Sequence, residues 1–146
     1  PEDRAALREG VTDGTIDVLI ADHQPVRSED KECEFPLAEP GSIGLQTSFP
    51  LLLQALGHDR FLDQGIAALT ARPRQVLGLD AVTIEEGAVA DLTYFSPTAT
   101  WTLDASTNYS RSRNSMLYGE SMQGLVYGTF RAGHPHTPAQ LQAERP

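Results

Sequence analysis

Cationic charge, sulfur and long apolar runs are all scarce in this sequence. Eleven Lys and Arg face twenty Asp and Glu, a formal net charge of −9. Without clustered cations to neutralise phosphates, nucleic acid is excluded as a main partner. The single cysteine, Cys33, leaves no internal disulfide and no thiolate zinc cluster, and its solitary use suits a reducing cytoplasm. The longest apolar stretch, Phe49 to Leu56, is broken by Pro50 and Gln54 and falls far short of the ~20 residues that span a bilayer, so no membrane crossing is expected. Neither an initiator Met nor a signal peptide opens the chain at Pro1-Glu2-Asp3, which is the start expected of a fragment or a processed product. With 146 residues the chain is also too short for a complete (β/α)₈ barrel of ~250.

What is present is the composition of a folded domain, 40% hydrophobic and 21% charged, without collagen, coiled-coil or low-complexity character. Glu2 to Gly10 has acidic residues first and a Gly stop, the charge order a short helix favours. After the turn at Thr12-Asp13-Gly14, the nearly continuous apolar run Ile16 to Ala21 predicts a strand buried on both faces, as in a parallel sheet. Asp22-His23-Gln24-Pro25 then falls at its carboxyl end, where α/β folds place ligand sites. Val26 to Gly44 is read as a long charged loop.

Leu45, Phe49, Leu52, Leu53 and Leu56 recur at helical spacing before Gly57, a second helix is expected from about Asp59 to Thr70, and a short third one around Pro73 to Leu77 ends at Gly78. Beyond Asp80 the period shortens. Val82-Thr83-Ile84 and Ala90 to Phe95 are expected to pair as a hairpin across Glu85-Glu86-Gly87. Trp101-Thr102-Leu103 predicts a separate extended piece, Asn108 to Gly119 an irregular stretch, and Leu125 to Phe130 a last strand. The chain thus divides into an α/β part (1–80), a mainly β part (81–133) and a tail (134–146).

Four stretches, in order, resemble the carboxyl-terminal third of the dihydroorotases of the amidohydrolase superfamily. DGTIDVLIADHQP (13–25) is similar to the family's last barrel strand, with its D-G-x-I-D start and D-H-x-P-H end. FPLAEPGSIGLQT (35–47) is similar to F-x-x-A-x-x-G-x-x-G-L-E-T. IEEGAVADL (84–92) looks like the I-x-x-G-x-x-A-D-L hairpin of the small β domain. Asn114-Ser115, Tyr118-Gly119 and Gln123-Gly124-Leu125-Val126 resemble a closing N-S-P-F-x-G-x-x-x-x-G-x-V, with Met116 in place of a proline that affects only a turn.

The resemblance implies an α/β fold class: the carboxyl-terminal fragment of a (β/α)₈ amidohydrolase barrel followed by strands of the small β-sandwich domain. It implies the interconversion of N-carbamoyl-L-aspartate and dihydroorotate, a step of pyrimidine biosynthesis, with zinc as the family's cofactor. Asp22 would be the catalytic proton acceptor and metal neighbour, and Pro40 and Gly41 would offer backbone amides to the substrate. The family's other metal ligands lie outside this chain, so no zinc is expected to bind it alone. The implied partners are the amino-terminal remainder of the barrel, a second copy in a homodimer, and aspartate carbamoyltransferase, which noncatalytic dihydroorotase-like subunits stabilise.

Each of these residues also has a plainer reading. Asp22 can simply accept hydrogen bonds from the following loop, and Gly41 and Gly44 can merely turn the chain into the helix at Leu45. Asp91 is expected to hold a hairpin or domain contact, Glu29 to Glu34 to be a solvated surface, and His134-Pro135-His136 to lie in a tail rather than on a strand. Val26 stands where the family pattern has a substrate-holding His, a change expected to cost binding of an anion, which tilts the reading toward a noncatalytic homologue and an isolated chain without activity; Gln46 replaces a Glu, keeping shape and losing charge. An independent binding or structural module is the competing class, and it would have to close its own core.

Overall fold

The computed structural model describes residues 2–138. Helix α1 spans Glu2–Asp13, one turn longer than its Gly10 stop suggests, because Gly10 is buried against Ile16 and the helix runs on to Gly14 at φ +84°. The long loop is as expected, with only two single turns, Glu29–Lys31 and Phe35–Leu37. Helix α2 covers Ser48–Leu56, and Gly57 closes it at φ +80° with its amide on Leu53 O. The expected second helix forms as one stretch, α3 (His58–Arg60), a π turn (Phe61–Gly65) and α4 (Ile66–Leu69), followed by α5 (Ala71–Val76). At the widened turn Gly65 sits close against Phe61: a Cβ on Gly65 would lie 2.7 Å from the Phe61 ring, which is itself fully buried.

A three-stranded antiparallel sheet follows, β1 (Leu92–Thr102), β2 (Ser121–Arg131) and β3 (His134–His136), in that spatial order. Phe49 of α2 packs edge-on against Phe61 at 4.9 Å and against Phe95 of β1 at 4.8 Å. This close seat depends on Gly124, at φ +104°, where a Cβ would meet the Phe49 ring at 2.9 Å. Beneath the long connection between β1 and β2 a second cluster forms from buried Ile43, Leu103 and Met122, with Trp101, Leu117 and Tyr118 against it.

Four expectations are corrected. Ile16 to Ala21 is not a strand: among the described residues no strand lies beside it, and its backbone is held only by Ile16 N on Gly10 O and Leu19 N on Ala68 O at 3.1 Å. A ladder needs a neighbour, and none is present; Ile20 is 81% exposed. The hairpin of residues 84–95 does not form either. The Gly87 turn is there, but among the described residues Val82 to Ile84 pairs with no strand and Ile84 is 88% exposed, while the segment from Leu92 finds its partner in β2, with Leu92 opposite Phe130.

Trp101-Thr102 is not a separate piece but the end of β1. The register shift between Ser96 and Thr100 accommodates Pro97 in an edge strand, so the proline bends the strand without ending it. His134-Pro135-His136 is on a strand, β3, paired with Thr129 to Arg131. The turn into it holds Ala132 at φ +49°, and the Asp91 carboxylate accepts from the Ala132 amide at 2.7 Å, which gives Asp91 the structural contact expected of it. The rest of the predicted tail, 139–146, lies outside the described residues.

The chain exposes 10399 Å², whereas a compact monomer of 15.9 kDa exposes about 7,400 Å². Large apolar side chains contribute to it, with Phe35 at 94% and Met116 at 91% exposed. A self-contained domain hides such residues.

Candidate functional site

Asp22 ends the Ile16 to Ala21 segment in a left-handed conformation, φ +43°, which Asp tolerates better than most residues. Its carboxylate is exposed and accepts from Gln24 Nε2 at 2.9 Å, so the local hydrogen bond of the plainer reading is present. His23 contacts the loop directly. Its Nδ1 accepts from the amides of Gly44 at 3.0 Å and Leu45 at 3.3 Å, which fixes Nδ1 as the unprotonated nitrogen and ties the end of the segment to the start of the loop's exit.

The glycines of that loop serve close approach and not turning alone. A Cβ on Gly44 would lie 2.4 Å from Ala21 O, and one on Gly41, at φ +128°, would lie 2.9 Å from Gln24 and 3.0 Å from Val26. Gln24 N donates to Ser42 O at 2.9 Å, so Pro40 to Gly44 lies along residues 21–26. Asp22 and the Pro40-Gly41 turn thus lie on two adjoining stretches of chain, joined through Ala21, His23, Gln24 and Val26.

Lys31, Ser112 and Asn108, which the sequence did not single out, hold this loop together with Asn114. Gly41 O accepts from Asn114 Nδ2 at 2.7 Å and from Lys31 Nζ at 3.2 Å, and Lys31 Nζ also donates to Glu39 O. Asn114 O accepts from Ile43 N at 2.9 Å and Ser42 Oγ at 3.2 Å. Ser112 Oγ donates to Val26 O at 2.6 Å. Asn108, 4% exposed, shapes the stretch that presents them by donating to Ser110 O and Ser112 O. The only sequence signal for this clamp is the Asn114-Ser115 pair of the fourth motif.

Gln46 donates from Nε2 to Thr107 O at 2.9 Å and accepts at Oε1 from Tyr109 N at 2.6 Å. A neutral amide satisfies both partners, and a carboxylate could satisfy one. The difference from the family's Glu is therefore a gain of donor as well as a loss of charge. The turn it grips is ordered by Asp104, whose carboxyl is held below its ordinary value by hydrogen bonds from the Ser106 hydroxyl and amide, and from Thr107. His23, Ile43, Gln46, Leu103 and Tyr109 line a small, partly open cavity of about 170 Å³.

Among the described residues no three His, Cys, Asp or Glu come together as a metal site. Structural and catalytic zinc require three or four protein ligands, so the groups present do not build a zinc centre; Asp22 could add one carboxylate to a centre formed elsewhere. No helix among the described residues is long and apolar enough to cross a membrane.

Comparison with solved structures gives the class first. The chain superposes on L-hydantoinase from Arthrobacter aurescens with a TM-score of 0.73 at 29% identity, covering 88% of this chain and 30% of that one. D-Hydantoinase from Thermus sp. follows at 0.72 and 23%, over 91% of this chain and 31% of that one. The fold is that of part of an amidohydrolase. No protein-family model matches the chain. Its sequence is homologous to the dihydroorotases: 42% identical to that of Geotalea daltonii over 134 residues and 41% to that of Aquifex aeolicus over 134, each match covering 90% of this chain. The chain spans about 31% of the length of these relatives.

Proposed function

We propose that this chain is the carboxyl-terminal part of a dihydroorotase-type cyclic amidohydrolase: the end of a (β/α)₈ barrel with strands of its small β domain, whose site is completed by an amino-terminal remainder. The observation that carries this is the unpaired segment Ile16 to Ala21, leading into Asp22 on a stretch that adjoins the Pro40–Gly44 loop. A barrel would pair it on both sides. The lone, exposed Cys33 suits the reducing compartment, the cytoplasm, in which such an enzyme would work.

In this reading Asp22 takes a proton from the water that attacks the ring amide carbonyl and returns it to the ring nitrogen as the C–N bond opens. Its exposed carboxylate, steadied by Gln24, is free to face a ring placed on the Pro40-Gly41 turn. Zinc, the family's cofactor, would need its remaining ligands from the remainder, since the residues here do not fit it alone.

A second reading is favoured by Val26, whose side chain packs against Gly41 and can neither charge-pair nor hydrogen-bond a substrate. The chain would then belong to a noncatalytic dihydroorotase-like subunit of the kind that stabilises aspartate carbamoyltransferase. Calorimetry on the chain complemented with the amino-terminal remainder separates the two. If Val26→His tightens dihydroorotate binding by about tenfold to a hundredfold, the carboxylate had lost its holder and the second reading stands. Little change means that other groups hold it, as the first reading requires.

A further inference from the structure

The Gly41–Ser42 peptide is polarised from one side and unspent on the other. Its carbonyl, Gly41 O, accepts from both the Lys31 ammonium at 3.2 Å and Asn114 Nδ2 at 2.7 Å. The amides of Gly41 and Ser42 donate to no group among the described residues, and Pro40 has no N–H to offer. In a trans peptide the N–H points away from the C=O. Ammonium, carbonyl and Ser42 N–H therefore form a head-to-tail series in which each dipole strengthens the next. Arg27, the other cation of this loop, is 81% exposed and paired with Asp30, while Lys31 reaches past its acidic neighbours to the carbonyls of Glu39 and Gly41.

We propose that Lys31 is a specificity-determining positioning residue: acting through the Gly41–Ser42 peptide, it makes that turn favour a ring bearing a carboxylate over a neutral ring. This rests on the proposed cyclic-amide site for its substrate class, but the anion preference of the turn is a property of the chain's own residues. An uncharged side chain at 31 would leave the peptide held by Asn114 alone and its amide a weaker donor.

The test uses the chain complemented with its remainder and two rings, L-dihydroorotate, which carries a carboxylate, and hydantoin, which does not. Lys31→Met should raise KM for dihydroorotate by roughly threefold to tenfold, the loss expected for about one net hydrogen bond, with kcat little changed, leave KM for hydantoin unchanged, and be rescued by Lys31→Arg. Equal effects on both rings would show that Lys31 only shapes the loop, and no effect on either would remove it from the site; both overturn the proposal.

A second readout is independent of turnover. With ¹⁵N-glycine and ¹⁵N-serine in the chain, succinate should shift the Gly41 and Ser42 amide resonances in the wild type and in Lys31→Arg, and not in Lys31→Met. No shift in the wild type, or the same shift in all three, overturns the proposal. A Lys31-dependent shift without turnover of either ring would support it and overturn the amidohydrolase reading instead.

Discussion

Gln46 shows how a single atom type decides a local fit. Its amide bridges Thr107 O and Tyr109 N, which lie across the interface between the loop's exit and the connection from β1 to β2. Gln46→Glu would set a carboxylate against a carbonyl and should cost about 1–3 kcal/mol. Urea unfolding followed by the fluorescence of Trp101, the only tryptophan, reads this directly, since its indole N–H donates to Gly124 O at 2.8 Å within the sheet. Gly44→Ala should lose a similar amount, about 1–3 kcal/mol, because the added methyl meets Ala21 O and the loop must lift from residues 21–26. An unchanged midpoint in either variant would show that the loop is not seated as described. Asp22, Pro40 and Gly41 were legible in the sequence as motif residues. Asn114 was legible only as a motif residue and not as the donor to Gly41 O, and Lys31 and the second hydrogen bond of Gln46 were not legible at all, because no spacing rule encodes such loop contacts.

The helices were more legible than the strands for the same reason. Phe49, Leu53 and Leu56 repeat at a helix's own period, and Gly57 and Gly78 stop α2 and α5 by adopting positive φ, all within a few residues of chain. A strand is defined by another strand. Ile16 to Ala21 has the composition of a buried strand and no ladder, and Val82 to Ile84 has the composition of a hairpin arm whose expected partner pairs instead with β2. Amide hydrogen exchange should therefore divide the chain. Leu92 to Thr102 and Ser121 to Arg131 should be protected, while Asp17, Val18, Ile20 and Val82 to Ile84 should exchange at rates near those of an unfolded chain, Leu19 alone being slowed by its bond to Ala68 O. Adding the amino-terminal remainder should slow Asp17 to Ile20 by orders of magnitude. If that segment is already protected in the isolated chain, it has found a partner of its own and the independent module is the better reading.

The excess of exposed area, about 3,000 Å² over a compact monomer of this mass, belongs to the molecule as a unit. Obligate contacts bury about 1,000–2,500 Å² on each partner, so the excess on this one chain is large enough to supply such a contact. The isolated chain should bind a hydrophobic dye and self-associate at micromolar concentration, and the remainder should suppress both. The decisive assay is zinc-supplemented turnover of dihydroorotate by the 146-residue chain, alone and after complementation with the amino-terminal remainder. Alone the chain should show none, because one carboxylate cannot assemble a zinc centre, and complementation should produce turnover that Asp22→Asn abolishes. Turnover by the isolated chain, or a stable complemented complex that binds dihydroorotate and never converts it, would contradict the assignment.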